Sequence, residues 1–184
     1  MKKKRLSLKH LIILALVITS IVLLVRHFHI KNFYIVKPEV LCVSGQPQGM
    51  DYPRLLYRYH ISAIVNVRSP DEYRQGNWYH EEVVWVRNNG VKYFELPMNK
   101  NSAGPDGFPD EDTQGKFLRI MADGANLPVL LHGSSGRERA PMLTAVWLIK
   151  SEGFAVEQAV EVAEKIKGKP LSETEIKFIR QLLN

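Results

Sequence analysis

The feature that most constrains the fold is a set of four short apolar runs separated by segments of helical length. The runs occupy residues 41–44, 61–67, 91–96 and 128–132; 91–96 includes Lys92 and Glu95, whereas the other three are largely apolar, which is typical of strands buried on both faces of a sheet. Helical patterns stand between and after these runs. Strands that alternate with helices predict an α/β domain of three layers, in which helices flank a central, mainly parallel sheet.

The predicted helices carry recognisable start and stop signals. The helical stretch 71–89 is followed by Gly90, a residue that tolerates the left-handed conformation found at helix ends. Pro141 is compatible with the first turn of a helix that follows the fourth strand. Ser172 and Glu175 have the spacing of a capping box, which predicts the start of a last helix.

Length and composition limit the chain to one folded domain. The chain has 184 residues, of which 45% are hydrophobic and 24% charged, as in ordinary globular proteins. Without its N-terminal segment it retains about 150 residues, enough for one core and too few for two comfortable ones. We expect the domain at 39–184, without internal repeats.

The N-terminal region predicts a membrane anchor. A basic segment, 1–10, precedes the longest apolar run of the chain, LIILALVITSIVLLV at 11–25. No small-residue cleavage site follows the run, so an uncleaved transmembrane signal anchor at 11–26 is favoured over a cleaved signal peptide. The run is shorter than the about 20 residues that a spanning helix prefers. Residues 27–38 are interpreted as a linker between this anchor and the domain.

The charge distribution predicts the orientation of the chain and excludes one class of partner. The formal net charge is +6, and five cations precede the apolar run: Lys2, Lys3, Lys4, Arg5 and Lys9. Because the remainder is close to neutral, we expect no nucleic-acid partner. Basic residues favour the cytoplasmic side. The sequence therefore predicts a single-pass protein of the bacterial inner membrane, with its domain on the periplasmic or extracytoplasmic side.

Cysteine and histidine usage gives no sign of a disulfide or a metal site. Cys42 is the single cysteine, which excludes a disulfide within the chain, and its apolar neighbours indicate the interior of a strand. His27 and His29 lie close together but lack further ligands. We expect neither a metal nor a cofactor.

The segment 132–139, HGSSGRER, stands between a predicted strand and a predicted helix. The first N–H groups of a helix lack partners within the helix and attract anions. Gly133 and Gly136 permit the unusual dihedral angles that turn loop N–H groups inward. Arg139 is placed to grip two oxygens of the same anion. The segment therefore predicts an anion-binding loop.

This loop resembles the signature of the cysteine-based tyrosine and dual-specificity phosphatases, in which His-Cys, five residues and Arg follow one another. The ending Gly136–Arg139 resembles bacterial members in particular, and Ser44–Pro47 and Gly90–Tyr93 extend the similarity to about residues 39–168. The resemblance implies a phosphatase-like α/β fold. It also implies a reaction with a thiolate nucleophile, an upstream aspartic acid and a hydroxyl after the arginine.

The sequence departs from that pattern at three of the functional positions. Gly133 occupies the place of the nucleophilic cysteine, and Ala140 occupies that of the hydroxyl. The expected acid position falls near 96–100, which contains no carboxylate, while Asp106 and Asp110 follow later in the same loop. These two aspartates are the candidate acids.

The sequence therefore predicts a catalytically degenerate phosphatase, a pseudophosphatase, that binds a phosphorylated ligand or protein. The expected phosphate-binding residues are Gly133, Ser134, Ser135, Gly136, Arg137, Glu138 and Arg139. The alternative is a phosphoric-monoester hydrolase that does not use cysteine. In that case Ser134 or Ser135 acts as nucleophile with His132 as base, or Glu138 orients a water molecule.

Overall fold

The computed structural model describes residues 8–27, 29–98 and 108–183, and contains one five-stranded sheet in that part of the chain. The strands are β1 (Tyr34–Lys37), β2 (Leu41–Ser44), β3 (Ala63–Asn66), β4 (Lys92–Glu95) and β5 (Val129–His132). They lie in the order β1-β2-β5-β3-β4. Every pair is parallel except β1 with β2. The predicted mainly parallel sheet is confirmed.

Helices cover both faces of this sheet, which gives the predicted three layers. The helices are α1 (Leu8–His27), α2 (Asp51–Tyr57), α3 (Pro70–Tyr73), α4 (Trp78–Asn89), α5 (Glu111–Ala122), α6 (Arg139–Lys150), α7 (Val156–Lys167) and α8 (Glu173–Gln181). Apolar side chains of α2 and α4 pack on one face, and those of α5 to α8 pack on the other. Alternate residues of a strand serve the two faces: Val43 faces α6 and its neighbours, whereas Cys42 faces α2.

Two boundaries differ from the sequence-based prediction. Residues 34–37, inside the predicted linker 27–38, form the edge strand β1, which pairs with β2 from Tyr34↔Val43 onward. The predicted helical stretch 71–89 divides into α3 and α4, because the chain passes through Gly76 in a left-handed conformation with φ of 110°. The predicted capping box is confirmed: Glu175 accepts a hydrogen bond from the backbone N–H of Ser172 at 2.7 Å.

The predicted anchor, 11–26, lies within α1. Within 8–27, 29–98 and 108–183, no helix combines the length and the apolar character needed to cross a membrane.

A buried carboxylate joins α4 to the sheet and to the segment after β2. Glu82 is fully buried, and its Oε1 accepts hydrogen bonds from Gln46 Nε2 at 3.0 Å and Tyr52 Oη at 3.4 Å. Its Oε2 accepts one from Tyr93 Oη at 2.7 Å and lies 3.3 Å from His132 Nε2. Burial acts to raise the pKa of Glu82, but His132, Tyr93 and Gln46 outweigh it and lower that pKa. The carboxylate is therefore held in its ionised form.

We expect Glu82→Gln to lower the free energy of unfolding by about 1.5–3 kcal/mol, because it removes the buried charge to which Gln46, Tyr52 and Tyr93 donate hydrogen bonds. Since the folded pKa of Glu82 lies below its ordinary value of 4.5, its contribution is complete above that pH. It is lost as the pH falls through the folded pKa, so the difference between wild type and variant should narrow there. Urea unfolding at a series of pH values measures both effects.

Glu81→Gln is the matched control, because Glu81 is exposed on the same helix. Equal unfolding free energies for the Glu81→Gln and Glu82→Gln proteins would contradict a stabilising role for the buried carboxylate.

Candidate phosphate-binding site

The loop between β5 and α6, residues 133–138, lies at the carboxyl edge of the parallel strands and is fastened to the end of β2. Gly136 has a φ of 73°, and a β-carbon there would lie 2.3 Å from the carbonyl oxygen of Ser44. Only glycine fits this position. Gln46 N donates to the carbonyl of Ser134 at 3.3 Å. Position 136 thus requires glycine for two reasons, the close approach of two backbone segments and the left-handed conformation.

The loop presents unpaired N–H groups. Among the described residues, the backbone N–H groups of Ser134, Ser135, Gly136, Glu138 and Arg139 have no hydrogen-bond partner. Such groups at the start of a helix carry partial positive charge and bind anions. The backbone therefore presents several unpaired donors at the start of α6, and the binding of an anion there stays a prediction.

Arg139 lies at the start of α6 and is held from three sides. Its Nη1 donates to the carbonyls of Val67 at 3.1 Å and Met98 at 3.3 Å, and to Glu72 Oε2 at 2.7 Å. Its Nη2 donates to Glu72 Oε1 at 3.1 Å. Among the described residues, Nε and the second hydrogen of Nη2 have no acceptor. This edge of the guanidinium remains available to two oxygens of an anion.

Glu72 is the counter-ion of Arg139 and lies in the same cavity. Its carboxylate also accepts hydrogen bonds from the backbone N–H of Ser69 at 2.8 Å and from Arg68 Nε at 3.2 Å. Burial acts to raise the pKa of Glu72, but the Arg139 and Ser69 hydrogen bonds outweigh it and lower the pKa to about 2. Glu72 is therefore a fixed negative charge beside Arg139 in this cavity.

The loop opens into a cavity of about 590 Å³. Its wall opposite the loop comes from α3 and the residues around it. The described lining residues are Ser69, Asp71, Glu72, Gln75, Met98, Gly133, Ser134, Ser135, Gly136, Glu138, Arg139 and Ala140. Among them, three carboxylates face a single guanidinium. Acidic side chains therefore outnumber the guanidinium around this cavity.

Gly133 leaves room where the resemblance places a thiol. A β-carbon on Gly133 would lie 3.5 Å from Val67 Cγ2 and 4.0 Å from Gly136 N, which is ordinary van der Waals contact. The residue has no positive φ that would demand glycine. The backbone therefore accepts a side chain at 133, in contrast to 136.

The structure assembles most of the predicted phosphate-binding residues around the cavity, but Arg137 lies elsewhere. Arg137 is exposed, is not among the lining residues, and its guanidinium packs near Gly168. The candidate acid Asp110 caps α5 by accepting from Thr113 N at 2.8 Å, which lowers its pKa, and it is also absent from the lining. The other candidate, Asp106, falls outside the described residues.

His132 and Cys42 are buried and directed away from the loop's chemistry. His132 Nε2 lies 3.3 Å from Glu82 Oε2, but outside the angular range of a hydrogen bond. Among the described residues neither ring nitrogen has a hydrogen-bond partner, so His132 makes no hydrogen bond to the hydroxyl of Ser134 or Ser135. Cys42 is buried in β2, and burial raises the pKa of its thiol to about 11, which leaves it protonated.

The sequence did not predict that Ser69, Asp71, Glu72 and Gln75 line the cavity. Their signal was the Ser69-Pro70-Asp71-Glu72 stretch, which has a helix-capping pattern after the second predicted strand. Carboxyl ends of parallel strands converge on one edge, so the turn after β3 was a candidate neighbour of the loop after β5.

Solved phosphatase structures share this architecture. The core catalytic domain of the PP-IP phosphatase SIW14 from S. cerevisiae matches with a TM-score of 0.65 at 20% identity, covering 82% of this chain and 84% of that one. PTPMT1, solved in complex with PI(5)P, matches with a TM-score of 0.63 at 16% identity, covering 82% and 93% of the two chains. The chain has the α/β fold of the cysteine-based phosphatases.

The chain is also similar in sequence to a protein named as a phosphatase. The chain is 25% identical over 153 residues to inositol diphosphatase DSP5 from Arabidopsis thaliana, which corresponds to 80% of this chain and 68% of that protein. No protein-family profile matches the chain.

We expect Gly133→Cys to yield a thiol with a pKa below the ordinary value of about 8.5, because unpaired loop N–H groups stabilise a thiolate there. Site-resolved alkylation with iodoacetamide across a pH series, followed by mass spectrometry, measures this pKa. Cys42 in the same chain is an internal reference for a buried, protonated thiol.

Ser151→Cys, at the opposite end of α6, is the matched control, because it places an exposed thiol where no helix N-terminus acts. If the thiol pKa of Gly133→Cys were equal to or higher than that of Ser151→Cys, the loop N–H groups would not be organised for an anion.

Proposed function

We propose that this protein is a phosphatase-like binding protein that holds a phosphorylated group in the loop 132–139 and does not hydrolyse it by the cysteine route. The observation that carries the proposal is the pairing of an anion-binding backbone with a nucleophile position, Gly133, that has no side chain. Loop N–H groups and the free edge of Arg139 supply five or more donors to a phosphoryl group. Covalent attack requires a nucleophile that Gly133 lacks.

The charges of the cavity favour a ligand with one phosphoryl group over a polyphosphate. Asp71 and Glu138 line the cavity in addition to Glu72, and neither makes an ion pair with a described residue. Each additional phosphate would approach these carboxylates at short range, where like charges repel strongly. A mono-phosphorylated small molecule or side chain satisfies the loop without that repulsion.

The ligands named for the similar proteins can be compared with the ligand proposed for this chain, which has one phosphoryl group. The names of two of them refer to inositol diphosphate and to PP-IP, and PTPMT1 was solved with PI(5)P. We carry over the phosphorylated group from these proteins. We do not carry over the diphosphate group, because the lining carboxylates of this chain oppose a second phosphate.

The second candidate function is hydrolysis of phosphoric monoesters without cysteine. It is favoured by the empty volume at Gly133 together with Glu138, whose carboxylate lines the same cavity. A water molecule in that volume would attack phosphorus opposite the leaving oxygen, with its proton passing to a carboxylate. Arg139 and the loop N–H groups would stabilise the transition state.

We expect Arg139→Ala to weaken the binding of phosphate or tungstate by about 10- to 100-fold, the loss expected for a charge-assisted, bidentate contact. Calorimetric titration of the full chain gives the affinities. Arg137→Ala is the matched control, because it removes the same charge two residues away and outside the cavity, and it should bind like wild type.

Two further measurements with the same proteins separate the candidate functions and the ligand classes. Turnover of an aryl phosphate by wild type that disappears in Arg139→Ala would replace the binding proposal with the hydrolase. Phenyl phosphate should show an Arg139-dependent affinity at least equal to that of inositol hexakisphosphate. An Arg139-dependent affinity for the hexakisphosphate that is tenfold higher would refute the proposed preference for a single phosphoryl group.

We also propose that α1 attaches the domain to a bacterial inner membrane, with the domain on the extracytoplasmic side. The support is a helix whose apolar side chains remain exposed, among them Leu14 at 50% and Ile18 at 52% of full exposure. Exposed apolar area of this extent on a helix is typical of segments that contact lipid or another protein.

We expect the double variant Leu14→Glu, Ile18→Glu to lose co-flotation with vesicles of phosphatidylethanolamine and phosphatidylglycerol, because two charges would enter the apolar region. Tyr57→Glu, which alters an exposed apolar side chain of the domain, is the control. Equal flotation of wild type and the double variant would contradict attachment through α1. Protease protection in inside-out and right-side-out membrane vesicles reports the side on which the domain lies.

A further inference from the structure

The segment His29–Phe33, immediately before β1, folds against the outer side of the anion loop. Ile30 is buried in the core on the α2 face, and the rings of Phe33 and Tyr59 lie 4.3 Å apart between centroids. The segment is therefore packed on the domain rather than extended away from it.

Two side chains of this segment bind backbone oxygens of the loop. Lys31 Nζ donates to the carbonyl of Ser134 at 3.1 Å, and Asn32 Nδ2 donates to the carbonyl of Ser135 at 2.9 Å. The contacts join residues that are 103 positions apart in the sequence. Lys31 also accepts a hydrogen bond from Gly45 N at 2.7 Å through its carbonyl, which fixes the segment beside the loop.

These contacts set the direction of the loop's donors. In a trans peptide the C=O and the following N–H point in opposite directions within one plane. The carbonyls of Ser134 and Ser135 are drawn outward to Lys31 and Asn32, so the N–H groups of Ser135 and Gly136 point to the opposite side. Both peptides are trans, and Ser135 and Gly136 line the cavity.

The backbone conformation of Asn32 and the close packing at Gly45 fit the contact between segment 29–33 and the loop. Asn32 has a φ of 48°, a left-handed conformation that asparagine tolerates better than most residues. A β-carbon on Gly45 would lie 2.8 Å from Lys31 Cδ and 3.0 Å from the Ser135 carbonyl, so a side chain there would separate segment and loop.

We infer that residues 29–33 are part of the anion site, with Lys31 and Asn32 as positioning residues that orient the N–H groups of Ser135 and Gly136 toward the ligand. The inference rests on the proposed binding of a phosphoryl anion by this loop. By linkage, an anion that needs these N–H groups also stabilises the segment that orients them. Because α1 ends at His27, the site is thereby joined to the helix proposed to attach the protein to the membrane.

The test uses Asn32→Gly in the full chain. Glycine keeps the left-handed backbone and the net charge, and removes only the amide donor. We expect tungstate affinity to fall about tenfold, the effect of misdirecting donors to an anion, with little change in melting temperature. His60→Gly is the control, because His60 is another left-handed residue, with φ of 51°, and lies outside the cavity lining.

Hydrogen exchange gives a second, independent measurement. In wild type, saturating tungstate should slow exchange of the Gly45 amide, which donates to Lys31. The Arg139→Ala protein should show no such protection at the same tungstate concentration. Purely structural packing of the segment would leave this exchange insensitive to the anion.

The outcomes distinguish this inference from the proposed function. Wild-type binding together with Asn32→Gly affinity within twofold of it, or an unchanged Gly45 exchange rate, would overturn the positioning role while leaving phosphate binding intact. If wild type bound no anion, the proposed function would fail, and the positioning role would fall with it. A loss of affinity in Asn32→Gly but not in His60→Gly, with tungstate-dependent protection, supports the inference.

Discussion

A chain of charged and polar contacts runs from the buried interior to the mouth of the cavity, and the shape of the site depends on it. Its members, in order, are Glu82, Gln46, Arg68, Glu72 and Arg139. The neutral Gln46 connects Glu82 to Arg68, the charged members alternate in sign, and each hydrogen bond orients the next side chain in a region of low dielectric constant. The direction of Arg139 is therefore determined by contacts that begin beneath the sheet's edge, well away from any ligand. Arg68 is further fixed by the face of Trp78, 3.6 Å from its ring centroid.

The pairing with Glu72 has two opposing effects on the guanidinium of Arg139. The bidentate pair with Glu72 keeps Arg139 in place, yet it neutralises part of the charge that would attract a ligand. The carbonyls of Val67 and Met98 take up further donors. Recognition of an anion is consequently left to the remaining guanidinium edge and to the backbone of the loop. Backbone N–H donors select an anion by its shape more than by its total charge. Such selection suits a cavity whose other walls are acidic and disfavour highly charged ligands.

The sequence was sufficient for the parallel sheet, the three layers and the loop after β5, because apolar runs and glycine spacing follow directly from local physical requirements. It was insufficient where a contact joins distant segments. Arg137 and Arg139 look equivalent in sequence, but the helix start directs one toward the cavity and the other toward Gly168. The roles of Glu72 and Asn32 could not be predicted either, because their partners in α6 and in the loop lie 67 and 103 positions away in the sequence. Residues 27–38 were interpreted as a linker from their position between the apolar run and the first predicted strand, whereas four of them form an antiparallel edge strand with alternating burial.

The difference between the two loop glycines has a consequence for the history of the protein. Position 136 tolerates nothing larger than hydrogen, because the Ser44 backbone lies against it, whereas position 133 has room for a β-carbon. Glycine and cysteine codons can differ by a single base. If position 133 is encoded by GGT or GGC, one point mutation places a cysteine at the start of α6, and the loop has room for its β-carbon.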